Sequence, residues 1–372
     1  MKTVLITGAK GFIGRHLTEA LRRRGDLRVV EYDLAAPPEV LEVGLREAEV
    51  IYHLAGVNRP QDQAEFAVGN TGFTQSICSA LSSLGRQPLI LISSSIQAEL
   101  ENPYGISKRG AEEVLRSWAR DTGGRVAVFR LKNVFGKWCR PNYNSVTATF
   151  CHNIAHGLPL QISDPARELD LVYIDDVVEG FLSVDESTIS PGTARFCDIA
   201  GSHKTTLGSL ANLLETFRRS RETLEMPSMG DEFTRRLYAT YLTYLAGDNF
   251  GYALKQKTDA RGALAEFIKQ PHFGQIFVSR TRPGVTRGNH YHHTKTEKFF
   301  VVEGEAIVRF RSILGGDVIE YRVSGTEFKV IDIPPGYVHS IENVGVTDLI
   351  TLFWADEIFD PARPDVYCRD VL

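Results

Sequence analysis

The sequence predicts an α/β fold, a doubly wound parallel sheet over residues 1–245, followed by an all-β domain over 246–372. Two observations carry this. Short apolar strands alternate with helical patterns in the first part, which is the signature of a parallel sheet covered on both faces. After Leu245-Ala246-Gly247-Asp248 the helical periodicity stops, and short strands with glycine turns follow at regular spacing, as in a sandwich or barrel. A length of 372 residues accommodates two domains.

The first strand, Val4-Leu5-Ile6-Thr7, runs into three glycines spaced three apart, Gly8, Gly11 and Gly14, and then into an amphipathic helix from Ile13 to Arg24. In this context the first glycine permits a sharp turn and the second lets backbone approach a pyrophosphate. The third lets the helix pack close, with its N-terminus toward the phosphates. This is a Rossmann-type dinucleotide turn, with Lys10, Phe12 and Ile13 in its span. The second strand, Arg28–Asp33, ends in an acid about 20 residues after the glycines, where a ribose-binding carboxylate belongs. Asp33 favours NADH, whereas Lys10 and Arg15 beside the turn could attract a 2′-phosphate, so the residues alone leave the coenzyme open. A third strand, Val50–His53, leads into Leu54, Ala55 and Gly56, small enough at the end to leave room for adenosine and ribose. The fourth, Leu89–Ile92, ends in Ser93, Ser94 and Ser95, and Arg125–Arg130 is the next.

Tyr104 and Lys108 stand four apart on one helical face. Lys108 could hydrogen-bond a nicotinamide ribose and lower the pKa of Tyr104 by its charge. Tyr104 could then pass a proton to a carbonyl oxygen as hydride reaches its carbon, with a hydroxyl from 93–95 holding the same oxygen. Alone, such a pair is an ordinary solvated helix face; its place after a dinucleotide turn and a serine-ended strand gives it chemistry.

Residues 1 to about 245 resemble the extended short-chain dehydrogenase/reductases, which mostly act on nucleotide sugars. The likeness rests on the glycine turn, Asp33, His53-Leu54-Ala55-Gly56, the serine run, Tyr104 with Lys108, and Arg130-Leu131-Lys132-Asn133-Val134-Phe135-Gly136. It implies Ser95 as the catalytic hydroxyl, with Ser94 next to it in rank, Asn70 near the active site and Asn133 on the sugar nucleotide. Tyr173-Ile174-Asp175-Asp176 resembles the late motif of that family. The family's dehydratases carry an Asp-Glu pair after the catalytic hydroxyl; Ile96-Gln97-Ala98 stands there instead and argues against dehydration. The interval from Ser95 to Tyr104 is short for a lid. Arg167 lies further from Tyr173 than the family's phosphate-binding arginine. The polar and aromatic stretch Gly136–Ser145, with Arg140, could line a sugar-nucleotide pocket or be an ordered surface loop.

Beyond helices at Leu207–Arg221 and Phe233–Leu245, strands are expected at 266–269, 275–280, 298–302, 306–311, 318–323, 329–333 and 348–354. His290 and His292 alternate on one strand, Glu297 opens the next, and His339 follows the turn Pro334-Pro335-Gly336. Three imidazoles and a carboxylate suit a divalent metal, zinc, iron, manganese or nickel, with zinc the first choice. These spacings resemble the cupin motifs, which imply a jelly-roll, with Gly325 further from Pro334 than the second motif prefers. Asp259-Ala260-Arg261-Gly262, Arg287-Gly288-Asn289-His290 and Lys298 also resemble the metal-free sugar-nucleotide 3,5-epimerases, where the residue matching His290 is the base and that matching Lys298 steadies an enolate. Metal is favoured because His292, Glu297 and His339 complete a ligand set; His293, Tyr291 or Lys298 could then move the proton.

The order of domains, with Gly136–Ser145 and His290–Glu297, resembles the bifunctional capsular-polysaccharide enzymes of the UDP-N-acetyl-L-fucosamine pathway. That likeness implies C3 epimerisation of a UDP-4-keto-6-deoxy-N-acetyl hexose by the cupin, reduction of the C4 ketone with NADPH to UDP-2-acetamido-2,6-dideoxy-L-talose, and a homodimer formed through the cupins. A nucleotide-sugar 4-epimerase holding NAD beside a non-catalytic cupin is the first rival, and an NADPH-sensing, metal-binding scaffold the second. A net charge of -4 points to neither nucleic acid nor an anionic membrane. Five scattered cysteines without a C-x-x-C pair, no signal-peptide pattern and no membrane-length apolar run lead to the expectation of a cytoplasmic protein.

Overall fold

The computed structural model describes residues 1–372, which group into two compact units: 1–214 with 236–245, and 215–235 with 246–372. The segment 215–235 lay in the first domain by sequence, but by contact it joins the second unit. Its backbone pairs there: Lys269 N donates to Leu224 O and Met226 N to Lys269 O.

The strands of the first unit are β1 (Lys2–Thr7), β2 (Leu27–Tyr32), β3 (Val50–His53), β4 (Leu89–Ser95), β5 (Arg125–Leu131), β6 (Asn133–Phe135), β7 (Glu168–Tyr173), β8 (Thr193–Cys197) and β9 (Ser202–Thr206). Six of them form one parallel sheet in the order β2-β1-β3-β4-β5-β8, and β6, β7 and β9 make a small second sheet. β8 is mostly exposed and was not legible as a strand: Thr-Ala-Arg-Phe-Cys has no apolar run, and pairing with the finished edge of β5 creates it. Helices α1 (Phe12–Arg24), α2 (Pro38–Glu47), α3 (Ala64–Phe66), α4 (Phe73–Ser83), α5 (Pro103–Thr122), α6 (Val146–Ala155) and α7 (Ile174–Leu182) lie between the strands. α8 (Leu207–Thr223) and α9 (Glu232–Leu242) follow. β1, β3, β4 and β5 are buried almost throughout, so their near-continuous Val, Ile and Leu supply a core on each face of the sheet. The strand order reverses between β1 and β3, which opens a crevice outside their carboxyl ends.

The second unit holds β10 (Gln256–Asp259), β11 (Gly262–Gln270), β12 (Gly274–Thr281), β13 (Thr286–Tyr291), β14 (Glu297–Glu303), β15 (Glu305–Ser312), β16 (Ile319–Ser324), β17 (Val330–Ile333), β18 (Tyr337–Asn343), β19 (Leu349–Ala355) and β20 (Tyr367–Cys368). They form two sheets in the orders β10-β11-β12-β19-β14-β17 and β16-β15-β18-β13-β20, paired antiparallel throughout. Phe299, Val301, Val308, Phe310, Ile341 and Phe353 are among the inward residues that make its core.

Candidate active site and histidine cluster

The crevice of the first unit is built on backbone contacts. Gly8 has φ +72, and a Cβ there would lie 2.7 Å from Ala55 N, so the turn after β1 rests directly on the end of β3. A Cβ on Gly14 would meet Gly8 O at 2.1 Å, which is why α1 can start against the turn only with glycine there. Gly11 N donates to Gly8 O at 3.0 Å, and Phe12 and Ile13 open α1. Leu54 N and Ala55 N donate to Thr7 O and Thr7 Oγ1. Asp33 stands just past β2 and accepts from Lys10 N at 2.8 Å and from its neighbour Leu34 N at 2.9 Å. The Lys10 side chain is exposed.

α5 begins on Asn102, whose Oδ1 accepts from Gly105 N at 2.8 Å, with Pro103 in the first turn. Ile96–Glu99 forms a short 3-10 turn between Ser95 and this cap, and so fills the brief interval that sequence reading found too short for a lid. Tyr104 is half-buried with its ring 5.6 Å from that of Phe66. Burial raises its pKa, opposed by a hydrogen bond with Ser95. Burial outweighs whatever lowering Lys108 supplies, so the Tyr104 pKa is raised and not lowered as expected; the ammonium lies 5.9 Å from the ring centroid and donates to Ser93 O at 2.9 Å. Burial in turn lowers Lys108 to about 8, with Glu112 opposing. A phenol kept protonated suits a group that must donate a proton.

Ser95 is therefore the hydroxyl beside Tyr104. Ser94 points the other way and donates to Glu112, which also accepts both arms of the Arg130 guanidinium at 3.0 and 2.7 Å. Glu112 was missed by sequence reading; its place four residues after Lys108 was the available signal.

Asn70 lies near Lys108 as expected, as a buried brace rather than an open contact. Its Oδ1 accepts from Val57 N, and its amide protons go to Val57 O and Ser107 Oγ. It sits in a π-helical turn, Ala67–Gly72, that joins α3 to α4. A Cβ on Gly56 would fall 3.3 Å from Lys108 Nζ, so that glycine faces the ammonium. Asn133 is exposed at the start of β6, and Arg140 is exposed with its guanidinium 5.3 Å from the Tyr143 ring centroid.

In the second unit His290, His292, Glu297 and His339 converge, with one ligand atom of each within 4.8 Å of the others. His290 and His339 are cross-strand partners on β13 and β18, and a bulge between Gly288 and His290 sets that register. β13 ends at Tyr291, so His292 is placed by something other than strand alternation. The C-terminal segment places it: His292 Nδ1 donates to Asp365 O, while the Asp365 carboxylate accepts from the backbone N–H groups of His293, Thr294 and Lys295. Burial would raise the Asp365 pKa, but these amides hold it well below the usual carboxylate range. Asp365 was not anticipated, because its partners lie about 70 residues away along the chain.

His339 Nδ1 donates to Tyr337 O at 3.2 Å. With both Nδ1 atoms spent on carbonyls, the Nε2 atoms of His292 and His339 face Glu297 Oε2 at 3.5 and 3.6 Å and are buried without a hydrogen-bond partner. Burial and the neighbouring imidazoles lower His290 to about 4. Orphaned, pre-aimed imidazole nitrogens around a carboxylate match the donor set of a divalent cation, with the Nδ1 bonds as orienting contacts. Lys298 is not part of this cluster, which corrects the expectation for it. Neighbouring residues on β14 face opposite ways, so with Glu297 turned inward Lys298 is exposed and pairs with Asp332 on β17.

Residues 4–193 match the model of the NAD dependent epimerase/dehydratase family, and residues 257–367 match the polysaccharide biosynthesis C-terminal domain. The chain is 44% identical to the UDP-2-acetamido-2,6-beta-L-arabino-hexul-4-ose reductase of Pseudomonas aeruginosa, over 99% of this chain and 98% of that one. The chain belongs to the NAD dependent epimerase/dehydratase family, in the branch extended by the polysaccharide biosynthesis C-terminal domain. In that branch the capsular polysaccharide assembling protein CapF of Staphylococcus aureus superposes with a TM-score of 0.91 at 44% identity, covering 99% of this chain and 100% of CapF. The UDP-glucuronic acid 4-epimerase of Bacillus cereus superposes at TM-score 0.55 and 18% identity, over 65% of this chain and 96% of the epimerase, which speaks to the fold of the first unit's family alone. The family is one of NAD-dependent enzymes, which implies a nicotinamide dinucleotide as coenzyme. No helix is long and apolar enough to cross a membrane.

Proposed function

We propose that this chain is bifunctional: the second unit, as a cupin-type jelly-roll, inverts C3 of a UDP-linked 4-keto-6-deoxy-N-acetyl hexose, and the first reduces C4, giving UDP-2-acetamido-2,6-dideoxy-L-talose. The observation that carries the reduction is the Ser95-Tyr104 hydroxyl pair beside a buried Lys108, at the crevice end of the parallel sheet. A bound reduced nicotinamide supplies hydride to C4. Tyr104 gives its proton to the carbonyl oxygen as that carbon is reduced, so C=O becomes CH–OH, and Ser95 steadies the same oxygen. Lys108, aimed across the helix face, would hold the ribose of the coenzyme. The domain boundary near 246 serves this division of labour. The resemblance names NADPH as donor; Asp33 names NADH.

A ketone at C4 acidifies the hydrogen on C3. His290 is the base of choice, because burial keeps its imidazole neutral and it is the less buried of the three histidines. His290, His292, Glu297 and His339 would hold a divalent metal, zinc first, which when bound would polarise the substrate oxygen and fix the ring of ligands. If His290 is a ligand, Tyr291 or His293 beside it moves the proton. The open edge strand β10, exposed along its length, supports a homodimer made through this unit. Asn133 and Arg140 remain the proposed contacts to the sugar nucleotide, and a cytoplasmic location follows from the soluble nucleotide-sugar substrate.

Incubation with the UDP-4-keto sugar in D₂O tests the reading. Deuterium should enter C3 without coenzyme, and reduced coenzyme should be consumed only when the ketone is present. Turnover of a 4-hydroxy sugar with no added coenzyme would favour a 4-epimerase instead. Binding without either reaction would favour a coenzyme-sensing scaffold.

A further inference from the structure

The geometry points to NADH, rather than NADPH, as the coenzyme of this chain, with Asp33 as the residue that decides. The inference deepens the reductase reading and rests on it for the reaction, though not for binding.

Asp33 stands where β2 ends beside the glycine turn, the place at which the adenine ribose of a dinucleotide reaches the sheet. Its carboxylate is fixed there from two sides. Oδ2 accepts from Lys10 N, inside the turn, and Oδ1 accepts from Leu34 N. Both donors are main-chain groups, so swinging the carboxylate aside would forfeit two hydrogen bonds. Two accepted bonds leave further lone pairs on both oxygens. A ribose 2′-hydroxyl can donate to one of them. A 2′-phosphate has only acceptor oxygens and about -1.5 to -2 charges, and would face a fixed carboxylate with no proton to offer it.

The chain after Asp33 offers no replacement. Leu34-Ala35-Ala36-Pro37-Pro38 contains no cation, hydroxyl or side-chain amide, and its prolines lack N–H groups. Ala36 N is already turned back onto Asp33 O. The cations of the turn itself and of the start of α1, Lys10 and Arg15, are exposed. They ride on flexible stems in water, where their attraction is screened, while the carboxylate is held by backbone.

Calorimetric titration of the full-length protein with NADH and NADPH, and with AMP and adenosine 2′,5′-bisphosphate as unreactive probes, tests this without turnover. NADH should bind at least roughly ten-fold tighter than NADPH, and AMP tighter than the bisphosphate, as expected for a like charge beside a fixed acid. Asp33→Ser should close that gap, mainly by improving the 2′-phosphorylated ligands. Asp33→Asn, which keeps the shape and removes the charge, should close it in part if the serine variant unfolds. Equal or tighter binding of NADPH by the native protein overturns the assignment, as does a ratio that neither variant moves. NADH selectivity in a protein that oxidises neither coenzyme supports the assignment and sinks the reductase reading instead.

Discussion

The crevice around Tyr104 and the cluster around Glu297 both bury polar groups and treat them in opposite ways. Near Tyr104 the buried polar atoms are satisfied within the chain. Asn70 spends its amide on Val57 and Ser107, Lys108 donates to Ser93 O, and Glu112 takes Ser94 and Arg130. Near Glu297 two imidazole nitrogens are left over, though their opposite nitrogens are pinned by carbonyls. Leaving a buried polar atom without a partner costs about 1–3 kcal/mol. The first region is thus a finished frame on which a ligand is laid, whereas the second is a frame that lacks one member.

The largest expected effect separates the two chemistries. Tyr104→Phe should lower coenzyme oxidation by about 10³-fold, within the range for loss of a general acid, and leave deuterium exchange at C3 intact. His290→Ala should do the reverse, measured on the same samples. Loss of both activities in either variant would break the division.

Next come tests of whether the first region is a finished frame. Glu112→Gln removes a buried charge from a partly exposed Arg130 that keeps Glu99, and should cost about 1–3 kcal/mol in denaturant unfolding; a change under about 0.5 kcal/mol would show that the pair is worth no more than a surface one. His53 is a second test. It is buried between Thr7 Oγ1 and Thr74 Oγ1, each at 2.8 Å, and its pKa is lowered to about 3 by burial and then by Lys108. The folded state therefore refuses a proton that the unfolded chain accepts at its ordinary histidine pKa. Stability from this group is complete above that value and is lost as pH falls toward the folded pKa, amounting to about 3 kcal/mol by about pH 4. The slope of stability against pH should flatten in His53→Gln.

The second region responds to a different reagent. Stripping the protein with a chelator and restoring zinc should shift the unfolding of the β unit by about 2.7 kcal/mol when free metal exceeds its Kd about a hundred-fold. Equal unfolding curves with and without metal would mean the orphaned nitrogens are solvated instead. The smallest effect belongs to Lys298→Ala: C3 exchange unchanged, and stability within about 0.5 kcal/mol, as for an exposed ion pair with Asp332.

Much of this was legible along the chain because it depends on short-range pattern. The glycine turn, the buried strands, the Tyr104-Lys108 spacing and the four ligand-type residues of the second unit each reveal themselves within a few residues or by residue type. Helical and strand periods follow from backbone geometry, and glycine is required where a Cβ would strike Gly8 O or Ala55 N. What the tertiary structure decided is direction and partnership. It turned Ser94 to Glu112 and left Ser95 with Tyr104, made Asn70 a brace, and sent Lys298 outward. It also brought Asp365 from the far end of the chain to aim His292. Side chains choose partners across sheets and loops that no local pattern encodes, and burial, which set the pKa values of Tyr104 and Lys108, exists only once both faces of the fold are in place.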